Sequence, residues 1–140
     1  MILTTILLSS AITYTTIRDE VYFQASKHGI EPELVLAIIK TESNFNPKAV
    51  GKTHKERGLM QLRPKYHKAS FDIKENIEEG VTYLAKLKKI CKKRYQEAWW
   101  ICYNTGSNKT IKNPHKFGYY KKVMREYDSY IIQNYKYCKQ

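Results

Sequence analysis

The chain has 140 residues, 42% of them hydrophobic, which suits one domain burying somewhat under ~70% of its unfolded surface around a single core. Its 25 Lys and Arg outnumber 13 Asp and Glu, for a net charge of +12, so it is drawn to polyanions. The cations are scattered with no helix-turn-helix, zinc-finger or RNA-binding signature, which excludes a specific nucleic-acid reader; no run reaches the ~18 apolar residues of a membrane span; and three cysteines without Cys-x-x-Cys or His-Glu-x-x-His spacing exclude a disulfide scaffold, a metal site and a metal cofactor.

Met1 to Thr16 carries no charge and offers Ser9 and Ala11 as a small-x-small site, so residues 1–16 read as a weak signal peptide or a retained N-terminal segment, and residues 17–140 as the domain. A first helix is expected from Ile17 to His28, stopped by Gly29. Pro32 opens a second, which ends near Ser43 because Asn44-Phe45-Asn46-Pro47 cannot continue it. Ala49 to Arg57 reads as a loop, with a short helix at Gly58 to Leu62 before Pro64 and a further loop to Asp72. Ile77, Val81, Leu84, Leu87, Ile90 and Cys91 give helical spacing across Glu75 to Lys93, and an apolar helix through Trp99 and Trp100 is expected from Tyr95 to Asn104. The last helix, Lys116 to Tyr135, presents Tyr120, Val123, Met124, Tyr127, Tyr130 and Ile131 at three- and four-residue intervals. No convincing strand alternation occurs, so the fold class is all-α.

Glu42 closes the apolar run Leu34 to Ile39, and on a helix Val35, Ile38 and Ile39 lie on the same stripe. The carboxyl therefore projects from the core-facing side, where desolvation raises its proton affinity towards that of a general acid near neutral pH. The histidines His28, His54, His67 and His115 lie in polar surroundings at unrelated spacings and read as surface or loop-end residues.

The strings Glu42-Ser43-x-Phe45-Asn46-Pro47, Gly58-Leu59-Met60-Gln61, Asn76-Ile77 with Gly80, and Tyr103-Asn104-x-Gly106 follow one another in the order of one family. Together they resemble the soluble lytic transglycosylase domain, a lysozyme-like peptidoglycan-cleaving fold, over roughly Ile17 to Val123. The resemblance implies that Glu42 is a single acid and base: it protonates the leaving oxygen of the β-1,4 bond between N-acetylmuramic acid and N-acetylglucosamine, then takes the proton of the muramyl primary hydroxyl. A 1,6-anhydromuramyl end results, the substrate's acetamido group standing in for a second carboxylate.

The same resemblance implies a substrate-binding set of Ser43, Met60, Gln61, Tyr103, Asn104 and Tyr119. Tyr103 is expected to donate to the Glu42 carboxyl and fix its rotamer, the alternative being a core tyrosine with a satisfied hydroxyl. Gln61 offers an amide to sugar substituents, Met60 a polarizable face, and Gly58 close backbone approach to a ligand. Asn104 and Gly106 brace a tight turn, Tyr119 closes the cleft, and Ser43 either orients Glu42 or ends its helix. Two departures stand out: Gly51 replaces a usual serine in a loop about one residue longer, and Arg63 replaces an uncharged residue before Pro64. Cys102 aligns with a buried small residue, which makes Cys91 and Cys138 the expected pair in an oxidising compartment.

The expected location is periplasmic or secreted and the expected partner the glycan strands of peptidoglycan, in wall turnover or in secretion, conjugation or phage machinery. Two rivals share the fold: a goose-type lysozyme hydrolase, in which Glu56 or Asp72 positions water, and a non-enzymatic wall-binding assembly protein.

Overall fold

A computed structural model describes residues 2–137. Among these residues there are five α-helices, α1 (Ile2–His28), α2 (Pro32–Ser43), α3 (Ile73–Tyr95), α4 (Cys102–Thr105) and α5 (Gly118–Tyr137), with 3-10 turns at Gln96–Ile101 and Pro114–Lys116. The all-α expectation holds: extended pairing among the described residues is limited to the isolated bridges Val50 to Arg57 and Arg57 to Leu62.

Helix α2 has the bounds its punctuation dictates. Pro32 occupies its first turn, where a missing N–H leaves nothing unpaired. Asn44 turns left-handed at φ 51° and ends it, donating its N–H to the Lys40 carbonyl. The six residues from Leu34 to Ile39 are all buried, so α2 is wrapped on every side. It runs antiparallel to α5, as cross-helix bonds show: Glu42 meets Tyr119 at one end, while Glu31 meets Tyr127 and Glu33 meets Asn134 at the other.

Helix α3 starts at Asp72, whose side chain accepts the Glu75 N–H at 3.0 Å. Its stripe of Ile77, Val81, Leu84, Leu87 and Cys91 is buried, whereas Ile90 lies off that stripe and is exposed. Ile131 of α5 is exposed as well, while Tyr119 and Val123 are buried and Tyr120, Met124, Tyr127 and Tyr130 pack half-buried against the core.

Three expectations are corrected. The first helix starts at Ile2 rather than Ile17, although Ile17 is the first residue along it to be buried among those whose side chains are described. The segment Gly58 to Leu62 is a turn, not a helix, because Gly58 (φ 74°) and Gln61 (φ 48°) both take left-handed conformations and Arg57 pairs with Leu62 in both directions. The expected Tyr95 to Asn104 helix breaks at Gln96 (φ 49°) into a 3-10 turn and then α4, and that tighter winding buries both adjacent tryptophans.

The cysteine pairing also differs. Cys91 of α3 is bonded to Cys102 at the start of α4. The bend at Gln96 folds α4 back against α3 and brings the two together, so Cys91 is not available to Cys138, which lies outside the described residues. No helix among the described residues is long and apolar enough to cross a membrane.

Candidate active site

Glu42 sits in the last turn of α2, and its carboxyl opens onto a hollow lined by Thr41, Asn104, Phe117, Gly118, Tyr119 and Lys122. Asn104 also lines a neighbouring cavity with Gln61, Arg63, Tyr66, His67, Tyr83 and Tyr103. The two meet at Asn104 and form one cleft between the 44–72 strap on one side and the start of α5 on the other. The second cavity encloses about 230 Å³, below the ~300–1,000 Å³ of pockets for drug-sized ligands, which suits one sugar residue with a substituent.

Burial pushes the proton affinity of Glu42 up, the negative charge of Glu56 adds to that, and the Tyr119 hydroxyl opposes both by donating to Oε1 at 2.8 Å. The net direction is upward, towards a carboxyl still protonated where an exposed one is ionised. Tyr119 is buried, and desolvation together with the facing Glu42 carboxylate holds its phenol far above the ordinary tyrosine range, so it is a permanent donor.

The partner of Glu42 is thus Tyr119, not Tyr103 as expected. Tyr103 instead donates to the Met60 carbonyl at 2.6 Å, tying α4 to the strap. Both tyrosines face the acid electrostatically, but Tyr119 reaches it because α5 runs alongside α2.

Met60 is fully buried, and its sulfur lies so close to Gly80 that a Cβ there would fall 2.3 Å from it. Its side chain therefore belongs to the core, and its expected place on the cleft surface is corrected. Gly58 likewise makes room for the Asn76 side chain rather than a ligand, since a Cβ on it would meet Nδ2 at 2.4 Å. The Ser43 hydroxyl bonds back to the Ile39 carbonyl at 3.1 Å, inside its own helix. Gln61 lines the cleft with its amide nitrogen donating to the Ala49 and Gly58 carbonyls, which leaves its oxygen for a ligand.

One important side chain has no role in the sequence reading beyond its place in a motif. Asn76 is fully buried, accepts the Met60 N–H at 2.8 Å, and donates to the Arg57 and Ser70 carbonyls at 3.0 and 2.7 Å. It staples both arms of the strap to α3. The available signal was an amide on the apolar face of a helix, where an unpaired polar group is costly.

Glu56 is the other acid near Glu42. Burial pushes its carboxyl up, but its own backbone N–H, the N–H of His54 and the His54 ring outweigh that and hold it below the usual range. It is thereby committed to the strap. Asp72, the other expected base, caps α3. Glu42 is the sole carboxylate among the described residues lining the cleft. No group of three or more His, Cys, Asp or Glu among the described residues is arranged to hold a metal ion.

The transglycosylase SLT domain family matches residues 21–123. Membrane-bound lytic murein transglycosylase C of Serratia proteamaculans is 40% identical over 79 residues, covering 45% of this chain and 22% of that protein. Proteins of the same name from Pectobacterium atrosepticum and Yersinia pestis are 38% identical over 80 and 79 residues, covering 46% and 45% of this chain and 22% of each relative. The aligned segment is therefore less than a quarter of the length of these relatives.

Proposed function

Because the chain belongs to the transglycosylase SLT domain family, we propose that it is a peptidoglycan lytic transglycosylase cleaving the β-1,4 bond between N-acetylmuramic acid and N-acetylglucosamine. The observation that carries this reading is the Glu42 site: one partly buried carboxyl of raised proton affinity, aimed into a cleft by Tyr119 and unaccompanied there by a second acid. A hydrolase of ordinary type wants a second carboxylate about 5 to 10 Å away to activate water or attack carbon. Glu56 is engaged by His54 and Arg63, which disfavours the goose-type alternative.

In the proposed reaction the Glu42 carboxyl gives its proton to the glycosidic oxygen as the C1–O bond breaks, and the neighbouring acetamido oxygen bonds to C1. The Glu42 carboxylate then removes the proton from the muramyl O6, which attacks C1 and expels the acetamido oxygen. Glu42 ends protonated, as it began, and no water is consumed. Tyr119 steadies the carboxylate between the two proton transfers. Gln61 and Asn104 supply amides along the cleft, while Ser43, Met60 and Tyr103 act by shaping its walls.

Residues 17–140 are proposed as the catalytic domain, a boundary supported by Ile17, where burial begins among the described side chains, with 1–16 as a leader or N-terminal segment. A periplasmic or secreted location is supported by the Cys91 to Cys102 bond, since disulfides persist in oxidising compartments.

Digestion of purified peptidoglycan tests the reading. The expected products are 1,6-anhydro muropeptides, one water lighter than hydrolysed counterparts and resistant to borohydride because no reducing end is left. Predominantly reducible muropeptides would overturn it in favour of water as nucleophile.

A further inference from the structure

The two departures at Gly51 and Arg63 are one feature in three dimensions. A Cβ on residue 51 would lie 2.1 Å from Glu56 Oε2 and 2.9 Å from its Cδ, so the glycine is what lets the Glu56 carboxylate fold in over the strap. There Glu56 accepts the His54 N–H at 3.2 Å and pairs with the His54 ring at 3.1 Å. Its Oε1 also stands 3.5 Å from Arg63 Nε. Glu56 is thus held from behind and in turn holds the Nε side of Arg63, whose side chain lines the cleft and is about half exposed. The two Nη groups carry four of the five guanidinium donors and have no hydrogen bond among the described residues. Across the cleft, Lys122 lines the hollow of Glu42. The strap from Gly51 to Phe71 has six Lys and Arg against one acid, Glu56, so this wall is positive even with Glu56 ionised.

We infer that Gly51, Glu56 and Arg63 form a built arm that recognises a free carboxylate carried by a substituent of the bound glycan, such as the peptide borne by its lactyl group, so that the cleft selects strands with ionised stems over amidated or stripped ones. The inference rests on the reading of the site given above. A guanidinium anchored at Nε presents its Nη edge as a planar fork matched to a carboxylate, and such charge-assisted pairs are about twice as strong as neutral ones. Lys at this position would keep the charge and lose the fork.

The test compares purified peptidoglycan with the same material whose carboxylates have been converted to amides. It measures kcat/KM for cleavage and, separately, sedimentation of Glu42→Gln protein with each insoluble wall. The wild type should prefer the free-acid wall by about tenfold, the order expected for one half-exposed charge-assisted hydrogen-bonded pair. Arg63→Gln should bring the ratio close to one, mainly through KM, with kcat kept. Arg63→Lys should retain part of the preference. Gly51→Ala should lose much of it with Arg63 intact, because the added methyl displaces Glu56. Lys93→Gln removes one exposed charge from α3 and should leave the ratio unchanged.

The inference is overturned if the wild type cleaves both walls equally, if Arg63→Gln keeps the preference, or if Lys93→Gln lowers it as much as Arg63→Gln. If neither wall is cleaved, the transglycosylase reading fails, yet Glu42→Gln protein that sediments preferentially with the free-acid wall, and loses this with Arg63→Gln added, would still support the arm. Equal sedimentation would remove both.

Discussion

Replacing Tyr119 by phenylalanine isolates the hydrogen bond that aims the acid. The hydroxyl donates to Glu42 Oε1 at 2.8 Å and favours the carboxylate, opposing the upward push of burial and of Glu56. Removing it must therefore raise the proton affinity of Glu42 further. A hydrogen bond to a charged group contributes about 1.5 to 3 kcal/mol, and 1.36 kcal/mol corresponds to one pH unit of titration. Glu42 opens onto a cleft where water can replace part of the lost bond, so the lower end applies. If cleavage needs protonated Glu42 in the free enzyme, the alkaline limb of the kcat/KM profile should move to higher pH by about one unit. The rate at neutral pH should fall all the same, because the freed carboxylate samples more rotamers before it can collect the O6 proton. Stability should change by no more than about 0.5 to 1.5 kcal/mol, the phenyl ring being retained. A limb that stays in place or moves to lower pH would refute the assignment of Tyr119 as the donor.

Glu42→Gln should lose roughly 10²-fold or more in rate on purified wall, since an amide cannot deliver the proton; near wild-type digestion would sink the role of Glu42. The same variant reports on the raised proton affinity. Stability carried by neutral Glu42 is fully present in acid and lost as pH rises through the folded-state titration, so the always-neutral glutamine should melt above the wild type at about pH 8 and lose that advantage towards about pH 4. Asn76→Ala removes three hydrogen bonds and orphans the buried Met60 N–H, for an expected loss of about 2 to 4 kcal/mol in urea unfolding, together with reduced activity from a loosened strap. Tyr103→Phe should lower stability by about 0.5 to 1.5 kcal/mol without moving the pH limb that Tyr119→Phe displaces. Non-reducing peptide mapping should recover the Cys91 to Cys102 bridge, and reducing it should cost about 3 kcal/mol, the chain-entropy value for so short a loop.

Helix α2 was legible to the residue because both of its ends are marked by backbone chemistry, Pro32 at the start and a left-handed Asn44 before Pro47 at the finish. The buried setting of Glu42 followed from the same stripe. The strap from Asn44 to Asp72 was legible as loop but not in its shape, which is imposed from outside: the turn at Gly58 to Leu62, expected as a helix, is set by Asn76, sixteen positions beyond Met60. The exchange of Tyr103 for Tyr119 has a similar origin. Tyr103 ends one apolar helical segment and Tyr119 begins another, and only the antiparallel seating of α5 on α2 decides which hydroxyl reaches the acid. The cysteine pairing turned on the left-handed break at Gln96, which no local pattern announced. The sulfur of Met60 was misplaced because a methionine fills a core gap as readily as it faces a sugar ring.

Asn44, Phe45 and Gln61 all hold positive φ, at 51°, 61° and 48°, where side-chain-bearing residues are disfavoured by about 1 kcal/mol or more each. Asn44 and Phe45 follow the acid in the chain and Gln61 lines the cleft, so the rim is wound like a spring and kept closed by the Asn76 staple and the Tyr103 bond. In native-state hydrogen exchange the Asn46 to Leu62 amides should open well before those of α2, although the two segments are adjacent in the chain. Binding a long glycan strand would then draw on a part of the molecule already close to yielding, while the stem that carries the acid stays rigid.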